Sequence, residues 1–221
     1  MGSTRIGRRR VVKANVNAYW ELMVSERDVK GWIQTTGPRV LRNVGLRSGQ
    51  VVADLGCRLG HISLPAARVV GEAGAVYALD RDTDALENLS RRAARMGLAN
   101  VQPVVADLLE GPLPLLRRSV DAVILFDVVH GVYFPDAKQR RDLFDKVRWV
   151  LRPDGWLAIY PTHARRHGPP LHLLQREITQ TGFIEVDRAY RRLLHDERPV
   201  RGWVLVYRRA DKPPGKGGPL R

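Results

Sequence analysis

The chain has 221 residues, of which 44% are hydrophobic and 27% charged, with a formal net charge of +14. This length and balance describe one globular domain with short extensions and exclude a disordered or fibrous chain; a domain of this size buries about 70% of its unfolded surface and folds without staples. The single cysteine, Cys57, excludes an internal disulfide framework and a cysteine-rich zinc site, and no run reaches the roughly 18 apolar residues of a transmembrane helix. The basic start lacks the apolar core of a secretory signal, and Ile6 stands where the myristoylation pattern needs Ser or Thr. A cytoplasmic location is expected. The charge is uneven. Residues 1–20 hold five basic groups (Arg5, Arg8, Arg9, Arg10, Lys13) and no acid, and residues 188–221 carry +7, which leaves +2 for residues 21–187. Basic ends suit nucleic acid or another acidic surface. Of the 37 basic residues 31 are Arg, which a GC-rich genome also produces.

In chain order, residues 1–14 read as a basic disordered arm and residues 15–45 as helices able to form a lid. Gln50–Asp54 is a short β-branched strand running into a Gly-containing turn. His61–Val70 has helical period with Pro65 in its first turn. Ala75–Asp80 is a strand, and Thr83–Met96 is a helix with its apolar face at Ala85, Leu86, Leu89, Ala93 and Met96, capped by Asp82 or Thr83. Val101–Ala106 and Val120–Phe126 are strands, the second almost wholly apolar, as expected where both faces are covered. Ala137–Leu151 is a helix stopped by Arg152-Pro153-Asp154-Gly155, followed by the strand Trp156–Tyr160. Leu171–Thr181 is a helix ended by Gly182, and Phe183–Arg188 with Trp203–Arg208 forms a final strand pair. Residues 211–221, rich in Pro, Gly and Lys, read as a disordered basic tail. This alternation predicts one α/β domain over residues 15–210, a Rossmann-like doubly wound sheet with ligands at the carboxyl ends of its strands.

The chemistry concentrates in Asp54-Leu55-Gly56-Cys57-Arg58-Leu59-Gly60, which ends one strand and opens a helix. A glycine here permits positive φ and close approach of a ligand, and the helix N-terminus favours an anion. Asp80 ends the second strand, where a carboxylate accepts ribose hydroxyls. Asp107 follows the third and suits an exocyclic adenine amine. Together they describe a ligand with a carboxylate, a ribose and an adenine but no pyrophosphate. A dinucleotide site requires Gly-x-Gly-x-x-Gly, and Arg58 and His61 fall at two of the three glycine positions.

With DLGCRLG, VYALDRD, VVAD, VILFDVVH, VLRPDGWLAI and GPPLHLLQREITQTGF, residues 35–190 resemble the class I S-adenosylmethionine (SAM)-dependent methyltransferases. The last blocks look most like the quinone-biosynthesis and arsenite methyltransferase-like branch, which acts mainly on small molecules. The resemblance implies a seven-stranded sheet of order 3-2-1-4-5-7-6, with the last strand antiparallel. It implies SAM as cofactor, with Asp54, Gly56 and Gly60, and with them Cys57 and Arg58 of the same turn, around the methionine part. Asp80 would bind the ribose with Arg81 beside it, Asp107 and Leu108 would meet the adenine, and Asp127 would lie near the methionine amino group. The family turn carries a glycine where this chain has Arg58, a side chain that either crowds the cofactor or pairs with its carboxylate.

Methyl transfer needs alignment above all, and a base only when the nucleophile arrives protonated. His130 just past the fourth strand, with Asp127 and Tyr133, forms the candidate catalytic set; Tyr19 and Trp20 are candidates to close over the substrate, and His163 and His167 to touch it. His61 and His172 lack metal-ligand spacing, so no metal is expected. FDVVH replaces the Asp/Asn-Pro-Pro-aromatic segment of exocyclic base-amine methylation, and Cys57 lies in the wrong loop for the nucleophile of pyrimidine C5 methylation. A small-molecule acceptor is the expectation. Two alternatives stand beside it: an RNA or protein acceptor docked through the basic ends, and a binding protein without activity if Arg58 blocks the cofactor.

Overall fold

The apolar strand Val120–Phe126 sits at the centre of the molecule and divides its core in two. The computed structural model describes residues 27–161, 168–195 and 198–210; Tyr19, Trp20, His163, His167, the basic arm and the basic tail lie outside the described residues. A single sheet has the order β3-β2-β1-β4-β5-β7-β6. Strands β1 (Val51–Leu55), β2 (Ala75–Asp80), β3 (Val101–Val105), β4 (Val120–Phe126) and β5 (Leu151–Tyr160) pair in parallel. Strand β7 (Arg198–Arg209) runs antiparallel between β5 and β6 (Phe183–His195). Successive side chains of a strand point to opposite faces. On β4, Ala122 and Ile124 therefore join one apolar cluster, while Val123 and Leu125 join the other.

Helices α1 (Gly37–Val44), α2 (Ser63–Val70) and α3 (Thr83–Arg95) cover the first face; α4 (Ala137–Val150) and α5 (Leu171–Gln180) cover the second. The side chain of Asp82 caps α3 by accepting from the Ala85 N–H, and Asp136 with Gln139 closes a capping box on α4.

Residues 27–44 are helical, as their sequence predicts, with a π-helical turn over Trp32–Thr36 leading into α1. Trp32 Nε1 donates to the His61 carbonyl at 2.6 Å, and Gly37 lies so near Pro65 that a Cβ would come within 2.9 Å of the proline Cβ. Residues 32–44 are thus packed on α2 as part of the core. The remaining stretch assigned to a lid, residues 15–26, lies outside the described residues.

Two elements differ from the sequence expectation. Strand β5 begins at Leu151 and takes in Arg152-Pro153-Asp154-Gly155, read as a helix stop. Leu151 pairs with Val120 and Trp156 with Ala122, so the four residues bulge from the ladder, and Pro153 needs no N–H there. The second difference is the β6–β7 pair, in which residues 189–195 and 198–202 are also strand where the expected strands break off. Arginines at 191, 192, 198 and 201 disguise the alternation that buries Leu193 and Val204.

A buried ion pair ties the second helical layer together. Arg140 on α4 meets Glu177 on α5 through Nε and Nη2, each at 2.7 Å, with side chains 7% and 10% exposed. The same guanidinium donates to the carbonyls of Phe134 and Pro135 at 2.8 and 3.1 Å, which fixes the segment after β4. Removing one partner of such a pair leaves an uncompensated buried charge. Glu177→Gln is therefore expected to cost about 3 kcal/mol or more in a urea unfolding titration; a loss below about 1 kcal/mol would contradict this account.

Candidate functional site

The turn after β1 is stitched to the end of β2. The N–H groups of Gly56 and Cys57 both donate to the Leu79 carbonyl, at 2.8 and 3.0 Å, and that of Arg58 donates to Asp80 Oδ2 at 2.8 Å. Gly56 has φ +74°, and a Cβ there would come within 2.7 Å of Val128 Cγ2. Arg58 adopts φ +44°, the left-handed conformation a glycine would take freely, at a cost of about 1 kcal/mol. The departure at position 58 thus leaves the turn closed and projects a cationic side chain.

A cleft of about 320 Å³ opens beside this turn at the carboxyl ends of β1 to β4. Its apolar wall is Ala106, Leu108, Val128 and Phe134; Asp80, Asp107 and Asp127 bring three carboxylates to it, and Arg58 and Arg81 two cations. Asp80 Oδ1 accepts the Asp82 N–H at 3.0 Å, so each of its oxygens holds one amide and keeps a lone pair. Arg81 bridges the mouth: its guanidinium lies 3.8 Å from Asp107 Oδ2 and 5.8 Å over the Tyr133 ring. Asp127 has φ +62°, a strained conformation for a non-glycine residue, and donates its N–H to the Tyr160 carbonyl at 2.8 Å.

Of the residues predicted to surround the cofactor, Gly56, Arg58, Asp80, Arg81, Asp107, Leu108 and Asp127 line the cleft. Asp54, Cys57 and Gly60 point away from it. Asp54 is 3% exposed and accepts from the Ser63 hydroxyl at 2.5 Å; burial, with the Asp80 charge adding to it, pushes its carboxyl up to about 7. Cys57 belongs to the first apolar cluster, and burial pushes its thiol up, so it stays protonated and packs as a small apolar group. Gly60 packs against α3, where a Cβ would overlap Leu89. Of the catalytic candidates, Asp127 and Tyr133 reach the cleft and His130 does not. The His130 ring packs on Tyr133 with centroids 4.6 Å apart, and Nδ1 accepts the Val132 N–H at 3.3 Å.

The sequence reading missed Asp82, Ala106, Leu109, Val128 and Phe134 as cleft residues. The first four adjoin residues it selected, so position alone could have found them. Phe134 likewise adjoins Tyr133, a selected catalytic candidate.

Residues 52–155 match the methyltransferase domain family. Over 138 residues the chain is 35% identical to the probable cobalt-precorrin-6B C(15)-methyltransferase (decarboxylating) of Sulfolobus acidocaldarius, covering 62% of this chain and 67% of that one. The chain belongs to the class I SAM-dependent methyltransferases. The same-named protein of Pyrobaculum calidifontis is 42% identical over 60 residues, 27% of this chain and 31% of that one. The 23S rRNA (uracil(1939)-C(5))-methyltransferase RlmD of Xylella fastidiosa is 37% identical over 117 residues, 52% of this chain and 26% of that one. The chain therefore spans about a third or less of the length of these two relatives. A SAM-dependent methyltransferase of Aquifex aeolicus shares the fold, with a TM-score of 0.61 at 20% identity over 83% of this chain and 96% of that one. The PH0226 protein of Pyrococcus horikoshii shares it at 0.62 and 18%, over 81% and 90%.

The cofactor of these methyltransferases is SAM, and the donor set in this cleft fits it. The N–H groups of Gly56, Cys57, Arg58 and Gly60 are all donated to internal acceptors, so the turn offers no nest for a pyrophosphate. The cleft presents strand-end carboxylates, an apolar wall and two arginines.

The environment of Asp54 makes stability depend on pH. Its folded pKa lies above the unfolded value of 3.8, so between about pH 4 and pH 7 the folded chain keeps a proton that the unfolded chain has lost. This contribution falls as pH rises, by up to about 1.4 kcal/mol per unit. Asp54→Asn, which still accepts from Ser63, is expected to match the wild type near pH 4 and to exceed it in urea midpoint at pH 8. An unchanged difference between the two pH values would refute the assignment.

Proposed function

We propose that the protein is a SAM-dependent methyltransferase in which Asp80 and Asp107 hold the nucleoside, Arg58 holds the carboxylate, and Asp127 and Tyr133 border the acceptor. The observation supporting this is the convergence of the carboxylates after β2, β3 and β4 on one cleft whose neighbouring turn amides are already bonded. Bound SAM supplies a methyl group on a cationic sulfur, activated for in-line attack. The work left to the chain is placement and dehydration, and alignment of this kind contributes several kcal/mol, up to about 7–11. Val128, Phe134 and Leu108 exclude water from the floor. Arg81, held between Asp107 and Tyr133, fixes the rim over which the acceptor arrives. Where the acceptor is protonated, the Asp127 carboxylate takes the proton, because it reaches the cleft and the His130 ring does not. His130 instead packs on Tyr133 and orients it.

A small-molecule acceptor agrees with the lack of base-methylation signatures, and one relative is named for cobalt-precorrin-6B. An RNA acceptor is the second reading. It is favoured by the arginine-lined β6–β7 ribbon at the same edge of the sheet, and another relative is named for 23S rRNA. The chemistry of C5 pyrimidine methylation is outside both, since Cys57 is buried and protonated.

Calorimetric titration with S-adenosylhomocysteine tests the cofactor site. Binding tighter than about 100 μM, near −5.5 kcal/mol, is expected. Asp80→Asn should weaken it about tenfold or more, the value of a hydrogen bond to a charged group. Arg58→Gly should weaken S-adenosylhomocysteine similarly yet leave methylthioadenosine, which lacks the carboxylate, unaffected. Absence of binding at millimolar ligand would overturn the enzyme reading, and tighter binding by Arg58→Gly would show that Arg58 obstructs the site.

A further inference from the structure

The β6–β7 hairpin continues beyond the rest of the sheet. Leu205 of β7 pairs with Ile159 of β5, and β5 ends at Tyr160. From Trp203 to Val200 the ribbon therefore runs past the last residue of β5, held to it by the Tyr160 hydroxyl, which donates to the Val200 carbonyl at 3.3 Å, on the edge where the cleft opens. Opposed residues of a ladder share a face. Tyr190 lies opposite Trp203, and Arg192 opposite Arg201. The inward face carries Leu193 and Val204, each 1% exposed and packed in the first cluster. The outward face carries Tyr190 and Trp203, 53% and 42% exposed, with ring centroids 5.3 Å apart.

Arg192 and Arg201 lie one step toward the tip on this face, and Arg188 one step toward the sheet, all three exposed. Arg188 is held by Glu185 at 2.7 Å, whereas the salt bridges among the described residues include neither Arg192 nor Arg201. No acid occupies the face from Arg188 to Leu194 on β6 or from Pro199 to Trp203 on β7.

We propose that this ribbon docks a single-stranded RNA segment that carries the methyl acceptor. Its place at the cleft edge rests on the methyltransferase reading; its capacity to bind RNA does not. Exposed rings that stack bases, flanked by cations for phosphates, form the surface that unpaired nucleic acid uses. An acidic peptide would satisfy the arginines and leave the rings without flat partners. Duplex DNA keeps its bases stacked, whereas RNA loops present them unpaired. The reach is suitable: β7 and β6 lie two and three strand spacings from β4, about 10–15 Å from the strand that ends at Asp127. The cleft itself is near the lower limit for one ligand of roughly 300–1,000 Å³, so a large acceptor needs a surface outside it.

Fluorescence anisotropy with a labelled 20-nucleotide single-stranded RNA of mixed sequence, at about 50 mM salt, tests the ribbon on the full chain. Saturable binding is expected. Tyr190→Ala with Trp203→Ala should weaken it about tenfold or more. Arg192→Gln with Arg201→Gln should lower the log–log salt slope by about 1.4, two contacts at roughly 0.7 each. The S-adenosylhomocysteine titration and far-UV circular dichroism of each variant should match the wild type, which shows that the variants fold. The proposal is overturned if the wild type binds no RNA or if the aromatic variant binds as the wild type does. It is equally overturned if binding is lost only in Arg8→Gln/Arg9→Gln/Arg10→Gln, or if duplex DNA of the same length binds equally well. Ribbon-dependent RNA binding without S-adenosylhomocysteine binding would remove the methyltransferase reading and leave this one standing; the converse would remove the ribbon alone.

Discussion

The Asp80 carboxylate joins three segments that the chain separates: the turn after β1 through the Arg58 N–H, the end of β2, and the start of α3 through the Asp82 N–H. Burying a carboxylate is costly unless its oxygens are bonded, and two amides meet that requirement here. The Asp80 bond holds Arg58 at positive φ, and the Leu79 carbonyl, accepting from Gly56 and Cys57, holds the rest of the turn that walls the cleft. Electrostatics in the neighbourhood follow from this arrangement. Asp54 is buried close by, and the Asp80 charge adds to the burial penalty that keeps its carboxyl protonated up to about pH 7. Two neighbouring acids thus do different work: Asp80 faces the cleft, and Asp54 bonds Ser63 in the interior.

The far side of the cleft is organised by longer-range contacts. The segment after β4 carries Asp127, Tyr133 and Phe134, and it has little regular structure of its own. Arg140 holds its end by donating to two of its carbonyls, and Glu177 fixes Arg140. Arg81 reaches from the end of β2 to Tyr133, whose ring also packs on His130. A helix–helix ion pair in the second layer therefore bears on the rim of a site formed mostly by the first few strands. The β6–β7 ribbon extends that rim outward with a surface of different chemistry, aromatic and cationic where the cleft is acidic and apolar.

The sequence by itself determined the elements and the acids that matter. Strand and helix periods are local, so β1 to β4 and α2 to α5 were legible within a residue or two. Acids just past parallel strands must lie at one edge, which is why Asp80, Asp107 and Asp127 were found together. Only the tertiary structure decided which neighbours of those acids face the cleft. Asp54, Cys57 and Gly60 share the turn with Gly56 and Arg58 but turn inward, toward Ser63, the first cluster and Leu89. Tertiary structure also lengthened the hairpin, where burial of Leu193 and Val204 outweighed an arginine-rich local sequence, and it paired Arg140 with Glu177 across 37 residues. The physical reason is common to all three: backbone period is set by near neighbours in the chain, whereas the direction a side chain takes is set by what distant segments leave for it to pack against or bond.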